Sequence, residues 1–311
     1  MRLDQRTFEE ALPDIVSSLE EPVASSSIVP MYFVCKRARE TVKVALIGQG
    51  PDELFGGYKR HLGVHYGSAW RSLPGWLRDG GAALARQLPR NETLKRGLHS
   101  LGNDDQLARF QQVFSLVPGS TLDRLFQPGL LPNGADREAA ACWEEFRPAM
   151  GRLDDLNAFQ LLELRSSLPD ELLMYGDKLS MANALEVRVP YLDREVVEHV
   201  QQLGASLKVR HGVRKWLHRR VCHQFLPAEV VNRKKRGFAV NVVDDWFRQS
   251  LEGRIKDYLA DNQSQLYRYL RPEAVTDLLQ RHASGREDNH KILFSLVVLE
   301  QWLRSSSAAG R

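Results

Sequence analysis

The sequence predicts a helix-rich α/β fold, and three observations lead there. The run VKVALI at residues 42–47 is short, apolar and β-branched, as expected of a parallel-sheet strand covered on both faces. It passes straight into GQGPDELFGGYK, a glycine-rich acidic turn followed by helical spacing. Most of the remaining chain carries amphipathic helical patterns broken at proline and glycine.

Taken in order, residues 7–20, TFEEALPDIVSSLE, put Phe8, Leu12, Ile15, Val16 and Leu19 on one side of a helix. EEPVASSSIVP is a loop of small residues with two prolines, and MYFVCKRARET is a helix with an apolar and a basic face. VKVALI is the strand. Ligands in open parallel sheets sit at the carboxyl ends of strands, so the turn after Ile47 has the right position for a site. Between residues 69 and 130, helical patterns are interrupted by LPGW, LPRN, VPGS and QPG, with Pro118–Ala135 as a loop-rich seam. Residues 154–186, 213–225 and 243–304 again read as helix, the last with breaks near Pro272 and Gly285. No second strand repeat stands out. That leaves a shortfall, because one strand cannot make a sheet.

Composition narrows the function classes. A chain of 311 residues can bury a sizeable core. Its 43 basic and 39 acidic residues leave a net charge of +4, too little to argue for a nucleic-acid or membrane partner. Cys35, Cys142 and Cys222 are scattered, with no disulfide framework or zinc spacing, which favours a reducing setting. The start, MRLDQRTFEEALPDI, lacks the apolar core of a signal peptide, and the apolar stretch near residues 292–299 is too short to span a bilayer. A cytoplasmic enzyme or binding protein is expected.

Four stretches carry the chemistry: GQGPDELFGGY at 48–58, LPDELLMYGDKLSMANALEVRVPYLD at 168–193, HGVRKWLHRR at 211–220, and RKKRGF at 233–238 with DDW at 244–246. Read alone, Asp52 and Glu53 are equally well a helix cap and a first-turn acid, and Glu53 could pair with Lys59 or Arg60. RKKRGF alone is a solvated basic turn or a nucleic-acid patch. Asp170, beside Pro169, reads as a helix cap. Lys215 and Arg219 form a solvated face or reach a phosphate.

Together the four stretches resemble the synthetase half of the glutamine-hydrolysing asparagine synthetases and their amide-forming relatives, which include β-lactam synthetases and lasso-peptide cyclases. The resemblance covers nearly the whole chain and is weakest at 62–150. It implies an adenine-nucleotide alpha-hydrolase-like (PP-loop ATP pyrophosphatase) sheet with ATP beside the glycine turn. On that reading residues 1–61 are nucleotide-binding core, 62–150 a helical insertion and 151–311 a helical part completing the site.

The resemblance also assigns roles. Gly48 and Gly50 would let backbone amides approach phosphate, and Asp52, with Glu53 beside it, would bind Mg²⁺ bridged to pyrophosphate. Lys235 would stabilise the charge that gathers on the phosphates during adenylation. Gln49 stands where the best-known members carry an acid, so it can orient a nucleophile but not take its proton. Tyr58, Asp177, Glu186 and Arg188 would be substrate-facing or structural, the last two as an internal ion pair.

Two family features do not occur in the sequence. No S-G-G-x-D-S phosphate loop is found, and position 2 is Arg rather than the cysteine nucleophile of a glutaminase half. The expectation is an N-terminally truncated or split synthetase that does not hydrolyse glutamine and needs the missing loop for turnover, with a separate chain as partner to supply that loop or a glutaminase. The chemistry implied is adenylation of an aspartate-like carboxylate by ATP, then amidation by ammonia. The alternatives are a relative forming a lactam or isopeptide from another substrate, and a non-catalytic remnant that binds a partner.

Overall fold

The computed structural model describes residues 4–78, 80–81, 103–115, 119–132, 135–233 and 258–309. The first helix, α1 (Gln5–Leu19), begins where the Asp4 carboxylate accepts from the Thr7 amide and ends on Glu20 in the left-handed region. Phe8, Leu12, Ile15, Val16 and Leu19 are all buried, as their spacing predicts. Next comes α2 (Ile28–Arg39), whose last turn holds Lys36, Arg37 and Arg39, where the helix dipole favours cations.

These two helices pack with α6 (Met174–Ala182) and α11 (His290–Ala309) around the main core, in which Tyr175, Leu179, Leu293 and Phe294 are buried. Two smaller cores flank the site. One joins Val64 of α4 (Lys59–Arg71) to Phe110, Phe159 and Leu162, the last two from α5 (Asp155–Arg165). The other joins Leu54 and Phe55 of α3 (Pro51–Phe55) to Val200 of α7 (Arg194–Gln201).

The strand β1 (Val44–Leu46) does have a partner. It pairs in parallel with β2 (Glu186–Arg188), in the register Val44↔Glu186, Ala45↔Val187, Leu46↔Arg188. The sequence shows no second strand repeat here, only a strand-like RVP segment at 188–190, because three residues are too few to display a period. The two-sided cover expected for β1 is also corrected. Ala45 and Ile47 pack on the core, but Val44 is 54% exposed and Leu46 73%. Apolar composition tells that a strand can be covered, not that it is.

Further on, α8 (Ala205–Lys208) leads into the hairpin β3 (Val209–Arg210) and β4 (Val213–Arg214), and then α9 (Trp216–Cys222). The helix expected from residue 213 therefore starts three residues later, because Gly212 turns the chain at a φ of +74°. The seam at 118–135 contains a short helix, Gly119–Leu125. Near the end, α10 (Pro272–Ala283) and α11 are separated at Gly285, and Pro272 opens α10 as expected. Among the described residues no helix is long and apolar enough to cross a membrane.

Candidate active site

The site is built at the carboxyl ends of the parallel strands. The amide of Ile47 closes the ladder on the Arg188 carbonyl at 2.9 Å, and the chain then leaves the sheet. Among the described residues, a Cβ on Gly48 would meet no atom within 4 Å. Gly50 has a φ of +99°, and a Cβ there would lie 2.3 Å from Leu192 Cδ2, so only glycine fits.

Pro51 opens α3 and Gly56, in the left-handed region, closes it. Gly57 has a different reason to be glycine. A Cβ there would stand 1.8 Å from Asp52 Oδ1 and 2.3 Å from Lys215 Cε. The missing side chain is what lets these two groups meet.

They meet as an ion pair, Lys215 Nζ to Asp52 Oδ1 at 2.9 Å, each side chain about one-fifth exposed. Lys215 caps α9 from a left-handed conformation, φ 53° and ψ 39°, an uncommon state for a non-glycine residue. The neighbouring Arg214 donates to the Gly57 carbonyl at 2.7 Å, which fixes the hairpin onto the turn. His218 of α9 packs on Phe55 and Tyr191, and burial, together with nearby Lys215, pushes its imidazole below its ordinary value. Arg219 points elsewhere, donating to Asn232 Oδ1 at 2.9 Å.

The adjacent acid faces the opposite way. Glu53 is buried and accepts a hydrogen bond from the Tyr58 hydroxyl, so neither Lys59 nor Arg60 pairs with it. Burial raises the Glu53 carboxyl, and the Tyr58 bond opposes that rise. The Tyr58 hydroxyl is itself raised well above its ordinary value by burial and by Glu53. Arg60 instead donates to Glu163, 2.7 Å from Nε, and His61 Nε2 lies 2.7 Å from the other Glu163 oxygen. His61 Nδ1 accepts from the Tyr58 amide at 3.3 Å, which leaves Nε2 to carry the proton toward Glu163.

Gln49 turns toward α6. Its Nε2 donates to the Leu172 carbonyl at 3.2 Å, and its side chain lies against Gly176. Leu172 belongs to a π-helical turn, Leu168–Leu173, whose widened ladder makes a carbonyl accessible to an outside donor. Tyr175 is buried on α6, and burial, with the nearby Glu171 charge, pushes its hydroxyl up to about 12. Pro169 opens this π turn as expected, but its cap position is Ser167, with Asp170 in the first turn.

Asp177 is exposed on α6. Glu186 and Arg188 do pair, at 3.2 Å, yet Arg188 is exposed and Glu186 only half-buried on β2, so the internal ion pair expected for them is a surface one. Lys235 lies outside the described residues. Among the described residues there is no group of three or more His, Cys, Asp or Glu side chains that could hold a metal.

The turn GQGPDELFGGY, the parallel strands and the cation brought by the β3–β4 hairpin thus form one constellation. The family model for asparagine synthase matches residues 1–304. The chain belongs to the asparagine synthase family.

Within this family it is 27% identical over 299 residues to asparagine synthetase (glutamine-hydrolyzing) 1 of Bacillus subtilis, covering 95% of this chain and 45% of that protein. It is 32% identical over 299 residues to a provisionally named asparagine synthetase (glutamine-hydrolyzing) of Mycobacterium tuberculosis, covering 95% and 44%. A more distant match is amidase chyE of Penicillium rubens, 23% identical over 270 residues, covering 76% and 38%. The chain spans less than half the length of these asparagine synthase relatives.

Proposed function

We propose that the chain forms one wall of the ATP site of an asparagine-synthetase-type ligase. The observation that carries this is the Asp52–Lys215 pair, an acid and a cation held face to face at the carboxyl end of a parallel strand pair. The same strand–turn–helix unit supports an adenine-nucleotide alpha-hydrolase-like sheet.

In the proposed reaction a carboxylate of an aspartate-like substrate attacks the α-phosphorus of ATP. The bond to the leaving pyrophosphate breaks, giving an acyl-adenylate. Ammonia then attacks the acyl carbon, AMP leaves, and the amide forms after loss of a proton. Lys215 exchanges its contact with Asp52 for a phosphate oxygen and stabilises the charge that develops there, with Lys235 as a second cation.

Asp52 is the residue that would hold Mg²⁺. A single carboxylate on a glycine turn, about one-fifth exposed, fits an ion that keeps several waters and shares phosphate oxygens, and does not make a dedicated protein cage. When bound, the ion supplies charge neutralisation at the pyrophosphate. Glu53 holds the turn from inside through Tyr58 and leaves the ligand side to Asp52. Gln49, tied to Leu172 and lying against Gly176, orients the incoming nucleophile, whose proton goes to solvent or substrate.

That amide also supports a second reading, a relative whose nucleophile is an amine of the substrate itself, closing a ring. Pyrophosphate release from ATP, measured with aspartate and ammonium, separates the two. The experiment is run on the chain alone and with a polypeptide carrying the S-G-G-x-D-S loop. Aspartate-dependent release supports the first reading. Release that ignores aspartate in both settings removes it.

A further inference from the structure

Lys208 is a lysine 2% exposed at the end of α8, and among the described residues no carboxylate is in hydrogen-bond contact with it. Burying a cation this way is costly, so what its donors hold is informative. Its Nζ donates to Asn157 Oδ1 at 2.7 Å and to Gln160 Oε1 at 3.0 Å, both on α5.

Each contact fixes an amide that would otherwise be free to flip. Asn157 is pinned on its other side, because Nδ2 donates to Asp154 at 2.7 Å. Gln160, with its oxygen claimed by the ammonium, must turn Nε2 the other way. There it donates to the carbonyls of Glu53, at 2.5 Å, and Leu54, at 3.1 Å. Those are end carbonyls of α3, a five-residue helix too short to satisfy them itself. The path therefore runs from Asp154 through Asn157, Lys208 and Gln160 to the helix that carries Asp52. Asp154 is the charged group facing the ammonium across this path, and it favours the protonated form.

We infer that Lys208 is a positioning residue for the Asp52 turn, acting through the amide of Gln160. It touches no reacting group in this scheme. Its part is to keep α3 from unwinding, so that Asp52 stays opposite Lys215, and this use of the turn rests on the reading under Proposed function.

The test uses Lys208→Met and Gln160→Met, which keep length and remove the donors, and the double variant. Amide exchange in peptides covering residues 50–58 is expected to quicken at least tenfold in each single variant, with little further change in the double. Exchange in α1 and α11 is expected to stay as in the wild type. Unchanged exchange at 50–58, or fully additive effects, would overturn the inference. Should Lys208→Met fail to fold, Gln160→Met alone carries the exchange test.

A second readout is binding of a fluorescent trinitrophenyl-ATP at varied Mg²⁺. The half-saturating Mg²⁺ is expected to rise several-fold in Lys208→Met, which mere core filling would not produce. Equal Mg²⁺ dependence would also overturn the inference. If the wild type binds no nucleotide, the ATP reading fails, and the exchange result still decides whether Lys208 anchors the turn.

Discussion

Replacing Lys208 by methionine should change how stability depends on alkaline pH. Burial moves this ammonium from its ordinary value of 10.5 to about 8, while Asp154 pulls weakly the other way. With the folded value below the unfolded one, the unfolded chain binds more protons between pH 8 and pH 10.5. Stability contributed by this site therefore rises with pH across that window. The displacement corresponds to about 3 kcal/mol in full, at about 1.4 kcal/mol per unit, with most of it gained by pH 10.

The assay is urea unfolding of wild type and Lys208→Met at half-unit steps from pH 7 to pH 10.5. Other alkaline groups, the tyrosines among them, titrate in both proteins and cancel in the difference. The wild type should gain on the variant by roughly 2–3 kcal/mol between pH 8 and pH 10. At pH 7 the variant escapes the cost of the buried charge but leaves two amide oxygens unpaired, so the two effects offset. A difference curve that is flat above pH 8, or that falls, would refute the reasoning.

Three other outcomes follow from the geometry. Gly57→Ala puts a methyl on top of Asp52 Oδ1 and Lys215 Cε. It should part the ion pair and cost about 1–3 kcal/mol in urea unfolding, with a matching loss of nucleotide affinity. Glu300 is fully buried and accepts from Ser264 Oγ at 2.8 Å and from the Gln265 and Leu266 amides, so it caps the turn before α10. Glu300→Ala strands those donors and should lower stability by about 3 kcal/mol, read from the urea midpoint, without moving nucleotide affinity. Lys235→Ala, in a preparation that adenylates, should abolish ATP–pyrophosphate exchange; retained exchange removes Lys235 from the proposed mechanism.

How much could be read from the letters depended on how local each feature is. The α1 face was legible because five apolar residues repeat over about three turns, and all five are buried. The glycine turn was legible because its glycines are dense, and Gly50 and Gly56 do hold backbone that other residues rarely adopt. Yet the particular need for Gly57, room for Asp52 to reach Lys215, depends on a residue far along the chain. Lys215 could not be chosen over Arg219 from spacing. A hairpin and a left-handed cap send one to the turn and the other to Asn232. Lys208 carried no signal at all, since a lysine in SLKVR reads as solvated until α5 is seen packed against it. The outer face of β1 misled in the opposite direction, its valine and leucine reading as covered where they are exposed.

The central claim is that Lys215 sits where the phosphates of ATP bind. An acyl-phosphate derivative of ATP, which acylates lysines lying beside its phosphates, tests it directly by mass spectrometry of the labelled protein. The account predicts acylation of Lys215, suppressed by excess ATP with Mg²⁺ and weakened in Gly57→Ala. Labelling spread over exposed lysines, or labelling of Lys215 that ATP does not suppress, would contradict it.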